Sequence, residues 1–411
     1  MRALSMALLA AAVLVAPAAP VARAQSDDPD DWPVDATRAW EPRISAPRWV
    51  APSAALPAET PCLASNNNVG IAMHERRLFL AWRTSGTHFA SPDTRMHVVS
   101  SSDLGRTWAF EHTVAMGADV REPTLLSIGG RLFLHWFEAG KSAFGFEPQH
   151  LWRAERLGPA RWSEPVEAGA PGEVPWELKV RRGKAWMTAY RGNHYGLGPP
   201  ALDVLFKVSS DGVTWAPVDP ARPAVYHGGV SEAAFELDEA GALWAVTRNE
   251  DGDGSGFGSH LATASPTALA AWAFPARSDP ERYDSPRMFR HGRDLFLLAR
   301  RDVDGPFDLG LTSVSFDHQR AMNLAAYSLR AKHTALYAID REARRVRWIA
   351  DLPSSGDTAF PSVCRTGAHT FVVANYTSPL DDGDLDRPWI RGQVSAAGTR
   401  IYLVDLEFVA K

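Results

Sequence analysis

The chain of 411 residues holds only two cysteines, Cys62 and Cys364, and only six lysines among its 43 basic residues. Its formal net charge of −5 is too near neutral to make an electrostatic case for nucleic acid as the main partner. One apolar run stands out, Leu4 to Val15, and nothing after it approaches the ~20 apolar residues of a membrane span. With 45% apolar and 10% aromatic residues, the chain is too hydrophobic for intrinsic disorder. Two cysteines so far apart leave two readings: a single bond closing almost the whole domain, or a pair of buried free thiols. The lysine deficit, set against 37 arginines, reflects either a GC-rich bacterial genome or a need for the fork geometry that lysine cannot supply.

The early apolar run follows Arg2 and precedes Ala22-Arg23-Ala24, a small-x-small cleavage signal before Gln25. This pattern reads as a signal peptide over residues 1–24 and predicts a secreted or periplasmic protein. Residues 25–60 then form a leader whose acidic start, Ser26 to Asp35, reads as solvated. Residues 61–411 form the main domain, expected to be monomeric.

What the chain has in abundance is Trp (15) and Gly (31), which suit many short strands and tight turns. Pairs of apolar runs separated by a turn recur six times, for example NVGIAMHERRLFLAWR and EPTLLSIGGRLFLHWFE. Anchored at Asn68, Glu122, Glu177, Glu232, Asp284 and Phe360, the units step by 54, 55, 55, 52 and 76 residues. The second runs end 14 to 16 residues later, at Arg83, Glu138, Arg191, Arg248, Arg300 and Tyr376. So regular a frame predicts an all-β fold, a six-bladed β-propeller of four-stranded antiparallel blades. The last unit shows three strands, and the segment around Trp40 to Val50 is expected to supply its fourth. A Cys62–Cys364 bond would reinforce that closure.

Ser101-Ser102-Asp103-Leu104-Gly105-Arg106-Thr107-Trp108 fits S-x-D-x-G-x-T-W, and Ser209 to Trp215 is the same motif one residue shorter. These resemble the Asp-boxes of the sialidase superfamily of β-propellers. In such a box the Asp and hydroxyl side chains bond turn amides while the Trp packs between blades, so the motif is structural. The fourth unit, Ser231-Glu232 through Thr247-Arg248-Asn249, is similar to the sialidase pattern of an N-E pair and a returning strand that ends in Arg. The resemblance implies that Glu232 polarises a nucleophile and that Arg248 grips a substrate carboxylate. It likewise implies that Arg83 is a second such arginine and that Asp93 is the acid/base. Two departures stand beside it. Ser65-Asn66-Asn67-Asn68 replaces an arginine motif, and Phe360 stands where the nucleophilic Tyr is expected, so Tyr376 is the candidate to replace it.

Read from the repeat alone, equivalent strand ends meet at one mouth of a central channel. That gathers Glu122, Glu177, Glu232 and Asp284 with Arg83, Glu138, Arg191, Arg248, Arg300 and Tyr376. Fork-shaped arginines suit a sugar carboxylate, Trp82 or Trp176 could stack on a sugar ring, and paired carboxyls could act as acid and base. Glu232, Asp93 and Tyr376 are the expected catalytic residues. Arg83, Arg248, Arg191, Arg300, Glu122, Glu177, Asp284, Trp176 and His194 are the expected substrate contacts. Acidic loops at Asn249 to Gly254 and Asp381 to Asp384 resemble calcium loops in composition but lack full ligand spacing, and read as solvated; no other cofactor is implied. The expected activity is hydrolysis of a terminal glycosidic bond in an acidic or otherwise polar glycan. The alternatives are a non-catalytic glycan-binding propeller, or a lyase on uronic-acid chains using His194 and Tyr195.

Overall fold

In the computed structural model, residues 27–142, 145–195 and 198–411 are described, so the signal-peptide segment lies outside them. They fold into six small antiparallel sheets. The inner strand of each sheet packs on that of the next, and the sixth packs on the first, which closes a ring around a central channel. This is a six-bladed β-propeller. Inner strands such as Ser65–His74 and Asp284–His291 are buried along their whole length. A strand lying between two neighbouring blades buries both of its faces, hence the near-continuous apolar runs in the sequence.

Period-two alternation divides those runs between the blade interfaces. Leu80 and Trp82 face the cluster shared with the sixth blade, while Phe79 and Ala81 face the one shared with the second. Equivalent clusters fill the other four interfaces. Packing is close enough that a Cβ on Gly70 would sit 2.3 Å from the Pro123 carbonyl oxygen of the next blade. A side chain there would force the two inner strands apart.

The sixth blade closes the ring with both parts of the chain. Its strand Arg400–Ala410 pairs with Trp40–Ile44 and Arg48–Ala51. Cys62 and Cys364 are free thiols beside the first–sixth interface, the second of the two readings their spacing left open. The fourth blade has three strands, Ala233–Leu237, Leu243–Asp253 and Gly256–Ala264, rather than the expected four. The 76-residue step also has a cause: a helix, α1 (Phe316–Leu329), interrupts the fifth blade. Ser315 caps it by accepting from the His318 amide. A short helix in the sixth blade, α2 (Trp389–Gln393), packs on α1.

Both Asp-boxes form as local turns. Asp103 Oδ1 accepts from the amides of Arg106 and Thr107 at 3.0 and 2.9 Å, and Oδ2 accepts from the Thr107 hydroxyl at 2.7 Å. Asp211 accepts from Val213 and Thr214 in the same way, which pulls its pKa down to about 2. Trp108 packs on the first–sixth interface, and Trp215 on the second–third.

The acidic leader is not solvated throughout. Asp28 and Pro29 are buried, and Asp27 accepts from the Arg365 amide at 3.0 Å and, through its carbonyl, from Arg181 at 3.1 Å. Asp30 pairs with Arg290. The leader thereby covers one end of the channel, above a cavity of about 110 Å³.

Candidate functional site

The first strands of five blades share a local irregularity. Their ladders shift register between Asn67 and Val69, Arg121 and Thr124, Pro175 and Leu178, Asp284 and Arg287, and Ala359 and Ser362. Asn68, Glu122, Ser285 and Phe360 take left-handed backbone at these bulges, with φ of 49°, 55°, 50° and 48°. A bulge re-aims the side chain beside it. Here it turns Glu122 and Phe360 into a cleft of about 410 Å³ at the channel end away from the leader.

The cleft floor carries charge and its walls are aromatic. Glu122, Glu232, Glu250, Arg121, Arg248, Arg282, Arg300 and His194 line it together with Phe146, Tyr190, Tyr195 and Phe360. α1 adds Leu324 and Ser328, and α2 adds Trp389 and Gln393. Arg300 lies over the Trp389 ring at 4.5 Å. Tyr195 is half exposed and stacks on His194 at 3.7 Å.

Arg248 is the hub of the floor. Its Nη1 meets Glu232 at 2.6 Å and Asp284 at 2.9 Å, its Nη2 meets Glu250 at 2.6 Å, and its Nε donates to Ser231 Oγ at 2.9 Å. Asp284, fully buried behind the cleft, also pairs with Arg282 at 2.9 Å and with Arg300, and accepts from the Tyr327 hydroxyl at 2.7 Å. Burial alone would raise the Asp284 pKa, but the arginines Arg282, Arg300 and Arg248 overcome it and hold the carboxylate ionised. His194 sits between Asp251 at 3.0 Å and Glu250 at 2.9 Å. Burial would lower its pKa, yet its two carboxylate partners raise it, so the ring is held as the cation.

Glu122 is the exception. It is 7% exposed, has no hydrogen bond or ion pair among the described residues, and leaves Oε2 buried without a partner. Burial, aided by the negative charge of Glu232, pushes its pKa up to about 8. Glu232 is also raised by burial, against the pull of Arg248, and its Oε2 accepts from the Ser285 amide at 2.8 Å.

Of the residues selected from sequence, Glu122, Glu232, Arg248, Arg300 and His194 line the cleft and Asp284 supports it from behind. Trp176 lies beside Phe360 but is buried, donating from its indole N–H to the Pro286 carbonyl at 3.0 Å. The others are placed elsewhere. Asp93 is an exposed loop residue, and Arg191 is exposed and paired with Asp203 at 3.5 Å. Arg83 is fully buried against Asp119 at 2.8 Å. Tyr376 is fully buried in the first–sixth interface, its hydroxyl on Asp357 at 3.1 Å. Glu177 faces down the channel, accepting from the amides of Phe235 at 2.6 Å and Met288 at 3.1 Å. Glu250 and Asp251, read as part of a solvated loop, are buried on Arg248, Arg282 and His194.

Arg121, Glu250 and Arg282 were not selected from sequence. Glu250 and Arg282 each stand two residues from a frame position, Arg248 and Asp284. Strand alternation places Glu250 on the same face as Arg248, and that is the signal that would have found it; Arg282 lies just before the strand that begins at Asp284.

Among solved structures, the chain is similar to a Dyadobacter fermentans protein of unknown function, at 14% identity and a TM-score of 0.53 over 84% of this chain and 95% of that one. It is also similar to Trypanosoma rangeli sialidase in complex with sialic acid and to a Hadza microbial sialidase, both at 14% identity, with TM-scores of 0.51 and 0.53. The chain shares its fold with sialidases. These two matches cover 84% and 83% of this chain but 54% and 66% of theirs, so it spans about half the length of the trypanosomal enzyme. No protein-family model and no curated protein matches the sequence. Within this sialidase-like fold, the positions that resemble the sialidase Glu and Arg, Glu232 and Arg248, both face the cleft, and a phenyl ring, Phe360, stands where the resemblance puts a phenol.

Proposed function

We propose that the protein hydrolyses a terminal glycosidic bond of a glycan bound in this cleft, with Glu122 as general acid and Glu232 as general base. The observation that carries the reading is the Glu122 carboxyl: buried in the cleft, without a hydrogen-bond partner among the described residues, and with its pKa pushed up to about 8 by burial. A buried polar group left unmatched costs about 1–3 kcal/mol, which a ligand in the cleft would offset. As the glycosidic C–O bond breaks, the Glu122 proton passes to the departing oxygen. Glu232 takes a proton from the water that attacks the anomeric carbon, and the products are a free sugar and an alcohol. With no phenol at position 360 and Tyr376 buried, neither position where the resemblance puts a nucleophilic tyrosine offers one to the cleft, which supports direct displacement with inversion.

The signal-peptide pattern of residues 1–24 supports export of the chain, so the glycan would be met outside the cytoplasm. Among the described residues no helix is long and apolar enough to cross a membrane. A second reading, a non-catalytic glycan-binding propeller, is favoured by Phe360. The lyase reading loses support, because carboxylates hold both ring nitrogens of His194 and leave it no lone pair to act as a base. Incubation with a glycan panel, with released sugars read by mass spectrometry, separates the first two. Release by the wild type that falls at least about 100-fold in Glu122→Gln supports hydrolysis; binding without release supports the second.

A further inference from the structure

We infer that the cleft selects an uncharged terminal sugar, because each cationic side chain around it is already matched by a buried carboxylate and the groups left open suit hydroxyls. This rests on the glycan reading given above. Arg121 pairs with Asp119, Arg248 with Glu232 at 2.6 Å, and Arg282 with Glu250 at 2.7 Å. Arg300 pairs with Asp284, and His194 with Asp251 at 3.0 Å.

Arg248, the residue that resembles a carboxylate-gripping arginine, is largely committed within the protein. Four of its five directions end on Ser231, Glu232, Asp284 and Glu250, and the fifth faces the His194 ring at 3.0 Å. Asp284 collects Arg248, Arg282 and Arg300 together, the same work that a substrate carboxylate would do. An acidic sugar would therefore bring another anion beside Glu232 and Glu250, where each guanidinium already has a buried carboxylate partner.

Among the described residues, Glu122 has no hydrogen bond or ion pair, and Arg282, sandwiched by Tyr327 at 4.1 Å and Phe307 at 4.9 Å, leaves its buried Nε and Nη1 unmatched. One can accept and the other only donates. A sugar hydroxyl does both and so can satisfy Glu122, while the aromatic walls take the apolar faces of the ring.

The test is a glycan array on which uncharged termini and sialic- or uronic-acid termini share the same linkers, overlaid with the labelled full-length protein at pH 7. The expected result is binding to uncharged termini at least about 10-fold above acidic ones, a difference of about 1.4 kcal/mol. Preference for acidic termini, or binding to no terminus, overturns the inference. Asp284→Asn, which removes one anion and frees arginine N–H groups, is expected to narrow that ratio about 10-fold; a folded variant with an unchanged ratio counts against it. If that variant does not fold, the wild-type ratio alone decides. Uncharged sugars that bind but are never released from fluorogenic glycosides leave this inference standing and defeat the hydrolase reading.

Discussion

Replacing Glu122 by Gln keeps the shape of the side chain and removes its ability to ionise. In the folded protein the Glu122 pKa lies at about 8 against an ordinary value of 4.5. Between these values the native state holds a proton that the unfolded chain has lost, so stability falls as pH rises from 4.5 and levels off above about 8. At 1.36 kcal/mol per pH unit the full shift amounts to about 5 kcal/mol, an upper figure because water entry and side-chain rearrangement relax a buried charge. The glutamine variant escapes this loss, so it should gain on the wild type by about 2–5 kcal/mol between pH 4 and pH 9. Urea titrations of both proteins followed by tryptophan fluorescence measure the difference; titrating groups remote from Glu122 cancel in the comparison, while Glu232, whose charge bears on Glu122, adds to the curvature between the two pH limits. A gap between the two proteins that stays constant with pH, to within about 0.5 kcal/mol, would refute the reasoning.

Other outcomes follow from the same geometry. Early reaction mixtures monitored by proton NMR should show the anomer opposite to that of the substrate; retention would mean that a cleft group such as Glu232 or Tyr195 attacks as a nucleophile, and would overturn direct displacement. Thiol titration should count two free thiols after unfolding in guanidinium, and Cys62, whose pKa burial raises to about 11, should react slowly in the folded protein. A count of zero would mean the bond forms. Asp103→Ala removes the acceptor of four turn bonds and should lower the melting temperature without altering ligand affinity, since the box is structural. A loss of affinity at unchanged stability would contradict that role. Deleting residues 27–31 uncovers Arg181, Arg290 and Arg365 and should lower the melting temperature as well; an unchanged melting curve would mean the leader contributes nothing.

The blades were legible because each inner strand buries both faces and so writes an apolar run at a fixed interval. α1 was not, since its sequence, FDHQRAMNLAAYSL, hides within the long 76-residue step that the repeat spans without explaining. The site was legible to the extent that frame positions face the channel. Glu122, Glu232, Arg248, Arg300 and His194 reach the cleft, while Arg83 and Tyr376, which end equivalent strands, turn into blade interfaces instead. The reason is register. A one-residue shift reverses which face a side chain occupies, and the bulges that produce such shifts leave little trace in sequence. Glu177 shows the same effect in the third blade, where the shift between Pro175 and Leu178 leaves it aimed down the channel.

The central claim is that Glu122 gives its proton to the departing group. Hydrolysis of aryl glycosides with leaving groups of graded acidity, by the wild type and by Glu122→Gln, tests it most directly. A leaving group that departs as a stable anion needs no proton, so the variant should approach wild-type rates on dinitrophenyl glycosides and fall at least about 100-fold behind on alkyl ones. An equal loss across the whole series would contradict the account, because a residue that only binds or supports structure has no reason to distinguish leaving groups.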